Sequence, residues 1–210
     1  MERDGRIIVY APQTTRRDTL VSLVQEKMVW IYQRLGRKNE ELHLLPQKEF
    51  VSGEGFYYRG RKYRLKLLDQ SIPAMKNEKL KFLNSRFWML RHHALGGHDI
   101  FVAWYARRAA EWIPQRVHMV KGRVGVEPGI IEIRDIGFRW GSCTESRKLF
   151  FHWRMILLPL KIMDYLILHE LIHLHEHNHS PAFYERLRRA APEYEEHEEW
   201  LRCNGDRYGL

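Results

Sequence analysis

The 210-residue chain holds only two cysteines, Cys143 and Cys203, and no CxxC pair. That excludes a disulfide scaffold and a cysteine-ligated zinc ribbon, and makes a reducing compartment the default. Long apolar runs are missing as well. The longest, Met155 to Leu168, is broken by Pro159, Lys161 and Asp164, so no membrane span is expected. The opening Met1-Glu2-Arg3-Asp4-Gly5-Arg6 has no apolar signal core, and the expected location is cytoplasmic. No internal repeat or low-complexity tract is visible.

What is present is an ordinary globular composition, 44% hydrophobic and 29% charged, in a length that suits one domain or a core with an appended subdomain. The charge is less ordinary. Lys and Arg number 35 against 26 Asp and Glu, a net +9, which permits an acidic partner such as nucleic acid without establishing one. The excess is uneven: residues 1–123 hold 24 basic and 12 acidic side chains, whereas residues 124–210 hold 11 and 14.

A short alternating strand is expected over Arg6 to Tyr10, then a helix over Asp18 to Leu35 with Asp18 as its cap. From Phe50 to Leu68 the pattern is β, with a turn at Arg59-Gly60. There Tyr63, Leu65 and Leu67 alternate with Lys62, Arg64 and Lys66, giving one apolar and one basic face. Ser71-Ile72-Pro73 is the best boundary, dividing a basic N-terminal α/β part (1–72) from residues 73–210, although the two can form one compact unit. A long helix is expected over Asp99 to Lys121, kinked or interrupted at Pro114. Ile131 and Ile133 begin a strand continuing towards Trp140-Gly141-Ser142; Thr144 to Lys148 is a turn, and Leu149 to Leu157 the returning strand. Pro159 then opens a largely apolar helix to Leu174.

Within that helix lies His169-Glu170-Leu171-Ile172-His173, and five of the 12 histidines fall between His169 and His179. Histidines four apart are about 40° apart around a helix and roughly 6 Å along it, so both imidazoles reach one ion. Glu170 projects beside that ion, where a carboxylate takes a proton from water. A catalytic zinc needs a third protein ligand. On a straight helix His179 would point about 120° away from His173 and lie about 9 Å further on, so the chain must turn back. Asn178 tolerates a left-handed turn, and Ser180-Pro181 reads as the cap and first residue of a new helix. His179 is therefore the expected third ligand. His175 faces elsewhere, His177 is too far along a straight helix and is a fallback only if the helix ends early, and Glu193 belongs to an acidic helix face. The metzincin pattern fails, since Glu176 stands where that class has Gly and no methionine follows Met163.

The run Arg139-Trp140-Gly141-Ser142-Cys143, the hairpin to Pro159, the HExxH segment, Asn178-His179-Ser180-Pro181 and Phe183 together resemble the YgjP-like metallopeptidases, zincins distantly related to SprT-like and Wss-like proteases. The resemblance runs through Pro192 and Trp200-Leu201 and covers nearly the whole chain. It implies an α+β zincin-like fold, with the HExxH helix beside a small β-sheet and a β-rich N-terminal subdomain. It also implies one zinc ion on His169, His173 and His179, with Glu170 as acid/base. Tyr184 departs from the pattern, where relatives commonly carry Trp. Trp140, Gly141 and Ser142 are candidates for binding an extended peptide, or equally for ending a structural strand. His152, Arg154 and Tyr184 are all candidates to stabilise an oxyanion. The expected activity is zinc-dependent peptide hydrolysis, with nucleic acid as a candidate partner of the basic part. The competing reading is a zinc-containing binding module without turnover.

Overall fold

The alternation around Tyr63 becomes strand β2 (Arg61–Leu68), whose Leu65 and Leu67 are buried while Lys62, Arg64 and Lys66 are exposed. The computed structural model describes residues 15–28, 47–75, 78–137 and 139–210. They belong to two compact units, 1–47 and 48–210. In the first, helix α1 spans Arg17–Glu26 and buries no residue. Arg16 occupies its N-cap and Asp18 lies in the first turn, so Asp18 is not the cap. The expected strand at Arg6 to Tyr10 and the rest of the expected helix to Leu35 lie outside the described residues.

The second unit begins with a four-stranded sheet. β1 (Gly55–Tyr58) pairs antiparallel with β2, β2 pairs parallel with β4 (Arg86–Leu90), and β4 pairs antiparallel with β3 (Leu80–Leu83). The order β1-β2-β4-β3 thus joins strands from both sides of residue 72. Both hairpins use two residues of positive φ, Arg59 (50°) and Gly60 (78°), then Asn84 (50°) and Ser85 (55°). That backbone sign matches the right-handed twist of paired strands.

Helix α2 (Gly97–Val120) covers the inner face with Phe101, Trp104, Tyr105, Ala109, Ile113 and Val117, all buried at three- and four-residue spacing. Phe56 stacks on Phe101 with centroids 4.1 Å apart, and Tyr105 Oη donates to the Tyr57 carbonyl at 2.6 Å. Pro114 does not interrupt α2. Proline removes one backbone hydrogen bond, but Ile113 and Val117 are both fully buried, and their packing carries the helix through.

The second sheet is small: β5 (Ile131–Arg134), β6 (Gly141–Cys143) and β7 (Leu149–His152), in the order β5-β7-β6. The segment from Ile131 to Ser142 is therefore not one strand. Asp135 Oδ1 accepts from the Gly137 amide and Gly137 takes φ +68°, so the chain turns and crosses to the other side of β7. The return strand also ends early, at His152, and a fully buried 3₁₀ turn follows over Trp153–Leu157. That turn's carbonyls at Ile156 and Leu157 accept from the Arg59 and Gly60 amides, each at 2.8 Å. The first sheet thereby fixes where the next element starts. That element, helix α3 (Leu160–Ile172), follows Pro159 and is buried at nine positions. Arg116 of α2 holds it through a bidentate pair to Asp164, both contacts 2.6 Å.

Among the described residues, no helix is long and apolar enough to cross a membrane.

Candidate metal centre

His169 and His173 stand one turn apart at the end of α3, where the helix gives way to an irregular elbow. The elbow turns without a left-handed residue. Asn178 is not among the positive-φ positions, so the expected role for it does not hold. Helix α4 (Pro181–Ala190) restarts as the sequence suggests: Pro181 lies in its first turn and Ser180 Oγ accepts from the Phe183 amide at 3.3 Å. This restart returns His179 to α3. His169, His173 and His179 each offer a ring nitrogen within 4.8 Å of the others, a group that could hold one metal ion. His175 and His177 are exposed and outside that group, and Glu193 pairs instead with Lys161 and His197.

The donor set fits a zinc-like ion. His173 Nδ1 donates to the Glu176 carbonyl at 2.9 Å, which leaves its Nε2 lone pair for a ligand. His169 Nε2 and His179 Nε2 are 3.0 Å apart, and two ring nitrogens that close must share a proton or a cation. Burial, with the neighbouring His173 and His179 adding to it, lowers the His169 pKa to about 3. This imidazole is therefore neutral near pH 7, the form that ligates. Burial lowers His173 as well. The Phe183 ring lies against all three imidazoles, with centroids 4.9, 4.7 and 4.7 Å from His169, His173 and His179. The sequence pattern includes Phe183 without a role; its signal is an apolar residue one turn into a capped helix beside three histidines.

Glu170 is 7% exposed, on the sheet side of α3. Desolvation raises its pKa to about 8, against a weaker opposing pull from Arg139. Its carboxyl lies against Gly141: a Cβ there would come within 2.6 Å of Glu170 Cγ and 2.7 Å of Oε1. Position 141 is glycine because the carboxyl occupies the space. Ser142, next on the same edge strand, pairs with Phe150 of the central β7. Cys143 remains a thiol, its pKa pushed up to about 11 by burial and then by Glu170.

Trp140 immediately precedes β6 and its carbonyl accepts from the His152 amide at 2.9 Å. The buried Arg154 guanidinium lies over its indole at 5.0 Å and donates through Nε to the Tyr208 carbonyl at 2.8 Å. Of the three oxyanion candidates, Arg154 is thus engaged with Trp140 and the C-terminal segment. His152 is buried between Asp135 and the Arg154 amide. Tyr184 is partly exposed, and its ring centroid is 6.2 Å from that of His179.

A solved structure, the metallopeptidase zymogen of Pyrococcus abyssi abylysin, is similar at 21% identity and a TM-score of 0.40 over 45% of this chain and 93% of that one. No curated protein matches the chain. The sequence profile of the YgjP-like family, metallopeptidase domain, matches residues 1–204, and the chain belongs to that family.

Proposed function

We propose that the chain is a zinc-dependent peptidase whose metal is held by His169, His173 and His179 and whose acid/base is Glu170. The convergence of three imidazoles from the end of α3 and the elbow before α4, next to a buried carboxyl, is the observation that carries this reading. Zinc held there supplies a Lewis acid that lowers the pKa of water and polarises a carbonyl.

The remaining chemistry belongs to the chain's own residues. Glu170 takes the proton of the attacking water at its carboxylate and returns it to the leaving amide nitrogen. For that it must be ionised, and burial alone opposes ionisation. Arg139 pulls the other way, and a cation at the histidines acts in the same sense as Arg139. The backbone of β6 supports a place for substrate. Among the described strands β6 pairs only with β7, so its outer edge, at Gly141 between Trp140 and Ser142, offers backbone groups to an extended peptide beside Glu170.

The test is a peptide library incubated with zinc-loaded protein, with and without chelator, alongside Glu170→Gln. Chelator-sensitive cleavage that the variant loses supports the reading. Stoichiometric zinc with no cleavage of any peptide would identify a binding module instead.

A further inference from the structure

We propose that the outward face of the four-stranded sheet binds single-stranded nucleic acid. The inner face is closed by α2, whereas the outer face mixes basic side chains with Tyr57, Trp88 and Leu83. Register places Arg64 beside Arg86 and Lys66 beside Trp88, with Lys81 on the far side of Trp88. Lys62 sits beside Tyr57 at the other end. Lys62, Arg64, Lys66 and Arg86 are exposed, and among the described residues none of the four pairs with a carboxylate.

The acids that flank this sheet are committed. Glu54 holds the Phe50 amide and Lys48, Asp69 holds Arg91, and Glu78 bridges Lys81 and Arg107. Like charges side by side on neighbouring strands are destabilising, and a surface kept soluble for its own sake intersperses both signs. Lys48 feels this crowding: burial lowers its pKa and Lys62 lowers it further, against Glu54. The Lys62 stem crosses over Gly55, where a Cβ would meet Lys62 Cε at 2.4 Å.

Charge complementarity therefore calls for a polyanion, and the rings narrow its class. Trp88 is half-buried in the middle of the face, its Nε1 donating to the Leu83 carbonyl at 3.1 Å, with the Lys66 ammonium 5.0 Å from the ring centre. A held aromatic ring beside a cation suits an unpaired base and its phosphate. Lys62, Arg64 and Lys66 project from one strand about 6.7 Å apart, a row along which a phosphodiester chain can run. An anionic membrane or an acidic peptide would use the cations but offers no base to Trp88.

This inference is independent of the peptidase reading. The experiment measures fluorescence anisotropy of the full chain with a labelled single strand of about 20 nucleotides over a salt series. The parent is expected to bind, with affinity falling as salt rises at roughly 0.7 log units per log unit of salt for each phosphate contact. Replacing Lys62, Arg64, Lys66 and Arg86 together by Gln should reduce that slope by roughly 3. Trp88→Leu should weaken binding about 5- to 100-fold with the slope unchanged, and Trp88→Phe should restore most of it. Thermal unfolding of each variant confirms that it is folded. No binding by the parent, equal binding of the matching duplex, equal competition by phosphatidylserine vesicles or polyglutamate, or no effect of Trp88→Leu would each overturn the proposal.

Discussion

The two sheets of residues 48–210 use glycine and charge in opposite ways. The four-stranded sheet buries an aromatic inner face against α2 and leaves its outer cations in solvent. The three-stranded sheet has strands of only three or four residues, and its edge residue Gly141 meets a buried carboxyl rather than core. The first sheet is a source of stability and of surface, in which many side chains share the work. The second is a positioning device, in which one missing methyl group decides whether Glu170 fits. Substitutions in the two should therefore fail differently: broadly and thermodynamically in the first, locally and catalytically in the second.

The largest expected effect is at Glu170. Glu170→Gln should retain zinc, measured by metal analysis, and lose peptide cleavage by about 10²- to 10⁴-fold, the usual worth of a general acid–base. Loss of zinc together with activity would instead make Glu170 part of the metal's binding. His179→Ala comes next. Removing a group that only hydrogen-bonds a ligand costs about 10- to 100-fold in metal affinity, so removing the third imidazole should cost more than that in a competitive chelator titration. Zinc affinity equal to the parent's would mean that His179 is not the third ligand.

Gly141→Ala sharpens the comparison directly. Its Cβ would stand 2.6 to 2.8 Å from three atoms of Glu170, so the carboxyl must move. A displacement near 1 Å can cost about 10²-fold in rate, with zinc content unchanged. Leu65→Ala in the larger sheet, 1% exposed, should do the reverse. It should cost about 2–5 kcal/mol of stability in denaturant unfolding, while its folded fraction keeps the parent's kcat. If Gly141→Ala destabilised the protein and spared kcat, the two sheets would not differ as described.

Much of this site can be read in the sequence because its logic is local. The i,i+4 histidines need only a helix, and Ser180-Pro181 announces the next one. The expectation of a third ligand calls for the chain to turn back, and His179 does lie with the other two imidazoles. The paths between elements are less legible. Nothing in Ile131 to Ser142 shows that the chain turns at Gly137 and changes sides of β7, because the choice is made by partners distant in sequence. Pro114 is a related case: the helix is not interrupted there, and the burial of Ile113 and Val117 that holds it together is tertiary. The contact between Gly141 and Glu170 joins residues 29 positions apart, and Arg154 offers no hint in sequence that it serves Trp140 and Tyr208 rather than a substrate.

The smallest expected effect concerns stability without metal. Burial raises the Glu170 pKa to about 8, above the value of about 4.3 expected in an unfolded chain. The folded metal-free protein therefore holds a proton that the unfolded chain releases across this interval. The sign follows: stability falls as pH rises from about 4.3 towards 8, and levels off above that. One pKa unit corresponds to about 1.4 kcal/mol, so the interval from about 4.3 to 8 sets an upper limit of about 5 kcal/mol on the loss. Glu170→Gln removes the titrating group. In the presence of chelator its melting temperature should match the parent's near pH 4.5 and exceed it by several degrees near pH 8. Arg64 is exposed on the larger sheet, and Arg64→Gln serves as the control, with a difference from the parent that stays flat over the same pH range. A flat difference for Glu170→Gln as well would mean that the carboxyl is better solvated than its contact with Gly141 implies, and that the small sheet does not hold it in a dry position.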